Sequence, residues 1–427
     1  MIILHQTVQL QNRQIITFHA PDAFIHDPVA NRYQALFDRL DWSELDNLTI
    51  SPAKGRLPHP ESAYIKAFLV MIAEKFCYIT DLHRFLCDHP ALIWVIGFRL
   101  VPLATSPYGF NIRKTVPCDR HLRRKLAQLD LHTLEQLLKQ TVQQFQHLYP
   151  DLGEVVSLDT KHIYAHVQEN NPKQFVTHRY DPKTIPKGDP TCRLGLKRRH
   201  NQKKKQTGQV ELGKAEWLWG YASGVATTIL PNRTEIVLAD YTQTLNCNDI
   251  TYAKPLLTHL AMTIGNYPRH VVADAAFDAS WLYEYCAKNG GMAIIPFNQR
   301  NKRGQPINSK GEPTCCQEVM KFAHWESKIE QKARFICQKC QKNYKMNLTV
   351  GNMMRLTLNR DDTVYKNLYK QRTAVERINS QATALGIERP KQRRLASIAR
   401  RNRLIYILIN LHALQRTQKQ SIKIHPP

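Results

Sequence analysis

The apolar pattern changes at Glu154, and the order of elements after that point limits the folds open to the chain. Strand-like runs follow one another at residues 155–167, 216–230 and 235–241, before a helical stretch at about 250–263. A short run at 270–273, a helix over 280–289 and a run at 293–297 then alternate strand with helix. Three strands before the first helix, then alternation, predict an α/β core over residues 151–297.

The flanks read differently. Residues 1–150 are mainly helical, with periodic apolar positions at 63–72 and 129–138. Pro60 opens the first of these helices, and His89-Pro90 and Val116-Pro117 mark connections. Arg113, Lys114, Arg120, Arg123, Arg124 and Lys125 cluster there, as a DNA-contacting module or as solvated charges on a helical cap. Residues 298–362 are irregular and read as an insertion, with strand candidates at 333–336 and 344–350. Residues 363–427 close the chain with helices at about 362–385 and 397–415 and a basic stretch at 389–403. Residues 182–209 read as a mobile basic loop able to lie along phosphates, through Lys197, Arg198 and Arg199, then Lys203, Lys204 and Lys205.

Charge narrows the partners. Sixty Lys and Arg against 35 Asp and Glu leave +25 on 427 residues, which calls for a polyanion, with nucleic acid the first candidate. The 43% hydrophobic content is enough for a real core, and 17 Gly exclude a collagen-like repeat. The longest apolar stretches, at 67–73 and 404–414, are too short to span a membrane. The opening MIILHQTVQLQNRQ lacks a basic n-region and a cleavage site, so no signal peptide is read and a cytoplasmic address is expected. Ten Cys fit a reducing compartment.

Three carboxylates stand out. Asp159 interrupts the apolar and β-branched run VVSLDTKHIYAHV, where an unpaired carboxylate costs several kcal/mol to bury without a cation. A salt bridge to lysine or a metal would each answer that cost. Asp274 follows the strand RHVVA, at the carboxyl end where ligands gather in α/β sheets. Asp278 reads as a helix N-cap, and Asp240 shares the strand-end placement so closely that spacing alone does not separate it from Asp274. Tyr369, Arg372 and Glu376 lie at helical offsets that predict one shared face.

Together these positions resemble the DDE transposases of bacterial insertion sequences. The helix motif of Tyr, two residues, Arg, three residues and Glu is met by Tyr369, Arg372 and Glu376. Asp159 and Asp274 are 115 residues apart, and Asp274 and Glu376 are 102 apart. The segment ADAAFDAS, the basic tract CRLGLKRR and the N-terminal LPHPESAYIKAFLVMIAEKF, PALIWVIGF and VPCDRHLRRKL are similar to family segments, so the resemblance covers most of the chain. It departs at Thr383, Ala276 and Ala222, where the family often has Lys, Gly and a basic residue.

The resemblance implies a ribonuclease H-like core with a helical N-terminal region and an insertion before the glutamate helix. It implies that Asp159 bridges two Mg²⁺ (or Mn²⁺) ions, that Asp274 ligates one and that Glu376 ligates the other. Arg372 would contact a phosphate or orient Glu376, and Tyr369 would support that face or touch the DNA end. The implied partners are double-stranded DNA, as terminal inverted repeats and target, and a second copy of the chain on paired ends. Two other readings stay open: a catalytically silent or domesticated DNA-binding protein, and a structure-specific nuclease on the same fold.

The insertion holds Cys337-Gln338-Lys339-Cys340, with Cys315-Cys316 about twenty residues earlier and His324 between. Cys315 or Cys316, Cys337, Cys340 and His324 could close a structural zinc site. Adjacent cysteines are poor geometry for two ligands on one ion, and the alternative is a set of free thiols.

Overall fold

The computed structural model describes residues 5–9, 15–47, 57–198, 203–204, 210–211, 215–298, 307–308 and 310–424. Arg199 and Lys205 lie outside the described residues. A hairpin of His5–Gln9 and Ile15–His19, not anticipated from sequence, opens the chain. Helices follow, as expected, among them Pro28–Phe37, Glu61–Ala73, Ile79–Asp88, Pro90–Ile96, Asp119–Gln128 and α1 (Leu131–Leu148). Local chemistry sets their starts. Asp27 accepts from Ala30 N at 2.6 Å and Asp130 from Thr133 N at 2.8 Å, each satisfying a backbone donor that the helix leaves unpaired.

The central sheet has six strands: β1 (Val155–Tyr164), β2 (Arg193–Arg198), β3 (Ala215–Ile229), β4 (Glu235–Thr244), β5 (His270–Ala273) and β6 (Met292–Ile294). Its order runs β6, β5, β1, β3, and the long β3 pairs with β2 through residues 215–220 and with β4 through residues 221–229. The pairs β1–β3 and β3–β4 are antiparallel, whereas β5 is parallel to β1 and β6 is parallel to β5. Parallel neighbours need a crossover. The helix α2 (Ala253–Ile264) lies between β4 and β5, and α3 (Ser280–Lys288) between β5 and β6. Gly224 lets α2 approach β3, since a Cβ there would come within 2.6 Å of the Tyr252 ring just ahead of α2.

Two sequence expectations change here. The basic stretch 182–209 is not one loop, because Arg193–Arg198 extends the sheet and Lys203–Lys204 pairs with Val210–Glu211. The 362–385 helix is two, α5 (Thr363–Lys370) and α6 (Thr373–Ala384), broken at Gln371 and Arg372; α4 (Val350–Thr357) precedes them.

The last helix, α7 (Leu395–Ile424), organises the molecule. Every residue from Leu404 to Leu411 is buried, so the helix is interior rather than amphipathic. It packs on β4 and α6 on one side and on α1, Glu61–Ala73 and Asp119–Gln128 on the other, and one continuous core runs from Phe24 to Leu414. Asn410 accepts from Val237 N at 2.8 Å and donates to Val237 O at 2.8 Å, which covers backbone groups on an edge strand. Asp240 is also explained. Its carboxylate accepts from Arg403 Nε of α7 at 2.7 Å with both groups buried, so it is a packing ion pair.

The insertion forms a small hairpin, Thr314–Cys315 with Glu318–Val319, beside a three-stranded antiparallel sheet of Lys321–Ser327, Lys332–Ile336 and Asn343–Asn347. It returns through α4, which lies against α3. Asp278 is not an N-cap. Ala279 holds the cap position of α3, while the Asp278 carboxylate accepts from Arg355 Nε and Nη2 at 2.7 and 2.6 Å and from Asn298 N at 2.7 Å, tying the insertion's return to the end of β5.

Removing one partner of a buried ion pair strands the other charge. Asp240→Ala should therefore destabilise the protein by about 3–5 kcal/mol in urea unfolding, and adding Arg403→Met should recover most of that loss. A loss below about 1 kcal/mol would contradict this account of the pair.

Candidate active site

Strand register brings the two aspartates together. Leu158 of β1 pairs with Ala273 of β5, so the next residues, Asp159 and Asp274, stand at one level on adjacent parallel strands, about 5 Å apart at their Cα atoms. Asp274 turns its carboxylate back to accept from Ala276 N at 2.8 Å, which caps a short 3₁₀ turn and holds the side chain at the strand end.

The helix α6 crosses the same face. Ser157 Oγ donates to Gln371 O at 3.0 Å, pinning the start of α6 to β1, and Asn379 Nδ2 donates to Asp159 Oδ2 at 3.0 Å. Glu376 is three residues before Asn379, so the turn that reaches Asp159 also carries Glu376 to the site. Glu376 lies in the first turn of α6, where the helix N-terminus favours a negative charge.

Arg372 sits at the break between the two helices. It forms an ion pair with Glu376, and its guanidinium lies 5.8 Å from the centre of the Tyr369 ring. Burial works against this cation, but Tyr369, Glu376, Asp159 and Asp274 outweigh it and raise its pKa. Tyr369, in the last turn of α5, stacks on Tyr365 at 5.9 Å with ring planes 6° apart. The motif therefore converges across a helix break rather than along one helix face.

Asp159 carries the largest electrostatic load. Burial pushes its carboxyl up, the Thr160 backbone opposes this, Asp274 adds repulsion and Arg372 attraction, and the result is a group raised to about 7. Two neighbours were not legible beforehand. Asn379 is buried and its Oδ1 has no hydrogen-bond partner; a polar residue at i+3 from Glu376 was the only sequence signal. Asp249 accepts from Thr160 Oγ1 at 2.6 Å and adds to the repulsion on Asp159.

Residues 221–411 match the family described as Transposase DDE domain. That segment of the chain is similar to a DDE transposase domain. The match contains Asp274, Tyr369, Arg372 and Glu376 and begins after Asp159, which joins them through the sheet. A solved structure described as the cryo-EM piggyBac transposase synaptic complex with hairpin DNA is similar at 12% identity and TM-score 0.31, covering 93% of this chain and 78% of that one. That likeness is too distant to carry an argument. No curated protein matches the chain.

The basic residues are placed unevenly. Lys197 of β2 reaches over the Tyr164 ring at 5.6 Å and Arg389 at 4.3 Å, beside a cavity of about 510 Å³ lined by Tyr164, His166, Arg389, Lys391 and Arg393. Arg198, Lys203 and Lys204 follow on the backbone of β2 and the adjoining hairpin. No helix among the described residues is long and apolar enough to cross a membrane. The four insertion cysteines come together, and His324 stays out of the group on an exposed strand.

A raised acid favours its protonated form. In metal-free protein the stability tied to Asp159 is present below about pH 4 and is lost as pH rises through about 7. Metal-free Asp159→Asn should then be more stable than the parent chain above pH 7, by about 1–3 kcal/mol, with the gap closing towards pH 4. Thermal melts across that range check it; a constant gap would refute the strained carboxyl.

Proposed function

We propose that this protein is the transposase of a bacterial insertion sequence, cutting the element's ends and joining the released 3′-OH to target DNA. The observation that carries the reading is the register of Leu158 with Ala273, which sets Asp159 beside Asp274 under the helix bearing Glu376, in a chain whose residues 221–411 match a transposase DDE domain. The strand order supports a ribonuclease H-like core, with three antiparallel strands, β1, β3 and β4, followed by two parallel ones, β5 and β6. The strand β2 and the insertion are additions to that core.

The donor set suits a divalent cation. Three carboxylates offer hard oxygens, Asp159 and Asp274 repel each other without a cation between them, and the buried Asn379 Oδ1 lacks a partner. Asp159, Asp274 and Glu376 would hold two Mg²⁺ or Mn²⁺ ions. Such ions, when bound, activate the attacking oxygen and stabilise charge on the leaving oxygen of an in-line displacement at phosphorus.

The chain's own residues do the positioning. Asn379 fixes the Asp159 carboxylate, and Ala276 N fixes that of Asp274. Arg372, paired with Glu376 beside both aspartates, would meet a phosphate oxygen, where its planar fork suits bidentate contact. Tyr369, stacked on Tyr365, presents a rigid phenol beside it. Lys197, Arg389, Lys391 and Arg393 form a basic track around Tyr164 at the end of β1. The same site serves water first and the 3′-OH second, on two ends held by a homodimer in the cytoplasm, at nucleoid DNA.

Asp159→Ala, Asp274→Ala and Glu376→Ala should each abolish Mg²⁺-dependent nicking of labelled duplexes carrying the gene's own flanking ends, while end binding stays near the parent value. Asn379→Ala should slow cleavage by about 10–100-fold through a misplaced Asp159. Binding should weaken steeply with salt. Tight end binding with no nicking by the parent chain would favour a catalytically silent DNA-binding protein instead.

A further inference from the structure

The insertion is poorly equipped to fold on apolar burial. Between residues 307 and 347 the buried apolar side chains among the described residues are Pro313, Met320, Ala333, Cys337 and Met346. Phe322 and Trp325 are half exposed and Ile329 fully so. Ordering some forty residues costs on the order of 40–80 kcal/mol of conformational free energy, and so few buried groups offset little of it. Modules of this kind need a covalent or metal staple.

The thiols gather where a staple would act. Cys315 and Cys316 lie in the hairpin, Cys337 and Cys340 at the turn that follows Lys332–Ile336, and the four sulfurs all lie within 4.8 Å of one another. Cys315 Sγ is 3.5 Å from Cys340 Sγ and 3.9 Å from Cys316 Sγ. A tetrahedral zinc with Zn–S bonds of about 2.3 Å has sulfur–sulfur edges of about 3.8 Å, so the group is nearly the size of a mononuclear site. A multinuclear iron–sulfur cluster would hold its thiolates further apart.

We propose that Cys315, Cys316, Cys337 and Cys340 bind zinc as a closed tetrathiolate site that staples the 314–319 hairpin to the three-stranded sheet of the insertion. The adjacent pair is workable because of its turn. Cys316 and Gln317 both have positive φ, 48° and 65°, which makes the two-residue loop a type I′ turn and brings the neighbouring sulfur back to the cluster. Non-glycine residues in that conformation cost about 1–2 kcal/mol each, a strain that metal ligation would hold in place. Lys339 Nζ bridges to Glu318 at 2.9 Å and lies within electrostatic reach of Cys316 and Cys337, offsetting the negative charge that four thiolates leave on one Zn²⁺. With four protein ligands there is no open position for water or substrate, so the site is structural. It does not depend on the transposase reading.

The test is metal analysis of the full chain purified under reducing conditions without chelator. About one zinc per chain is expected, with negligible iron. Cys337→Ser with Cys340→Ser should lose it, Cys316→Ser should hold it at least about 10-fold more weakly, and Cys118→Ser, outside the cluster, should keep it. Should the double variant fold poorly, replacement of zinc by Co²⁺ in the parent chain still reports the ligands, through thiolate-to-cobalt charge-transfer absorption and tetrahedral visible bands. Chelation should also open the Lys321–Lys345 region to trypsin while the central sheet resists. Metal-free protein with four rapidly reacting thiols, iron in place of zinc, or zinc retained by the double variant would each overturn the proposal.

Discussion

Burial of one carboxylate, sharpened by the repulsion of a second on the neighbouring parallel strand, is the constraint around which this chain is arranged. The pairing of Leu158 with Ala273 leaves Asp159 and Asp274 nowhere to go but side by side. A sheet accepts such a pair only when cations or donors compensate it, and the surroundings are built to supply them. Asn379 donates to one oxygen of Asp159, Ala276 N donates to Asp274, and the Arg372 cation sits within reach of both. The carboxyl of Asp159 is nonetheless raised to about 7, which leaves the site short of positive charge. That shortage is what a pair of divalent ions would relieve.

The compensation requires α6 to be held firmly against β1. A short contact, Ser157 to Gln371 O, fixes where α6 begins, and the break at Arg372 turns Tyr369 and Glu376 towards one point. Behind α6, the middle of α7 is buried on all sides and joins the sheet to the N-terminal helices. Two of its buried polar residues meet the sheet: Asn410 closes the exposed backbone of β4, and Arg403 neutralises Asp240. The insertion is attached differently. Arg355 on Asp278 anchors its return four residues beyond Asp274, leaving its thin interior to be stabilised by its own cysteines.

Much of this was readable in residue order. The strand runs around Asp159 and Asp274 and the helices flanking the core reflect local periodicity, which a linear pattern preserves, whereas the break that parts Tyr369 from Glu376 does not show in it. Asp240 was not separable from Asp274 by any such pattern. Both end or occupy apolar strands, and the difference is that Arg403, 163 residues later, reaches one of them. Asn379 and Asp249 were missed for a related reason, since nothing local distinguishes a polar residue that faces a carboxylate from one that faces solvent. The basic stretch around Lys197 looked like a loop because its charges mask strand alternation, yet the long β3 offered an unpaired edge for it.

Chain chemistry alone settled which groups were available: three carboxylates in strand-end and helix positions, an excess of 25 positive charges and four thiols in one insertion. Helix caps such as Asp27 and Asp130 were set at the same level, because their partners lie three residues away. Convergence belonged to the folded molecule. Asp159, Asp274 and Glu376 are more than a hundred residues apart in sequence, and sheet register, a helix break and an interior helix bring them together. Contacts of that range depend on packing geometry, which no window of sequence contains.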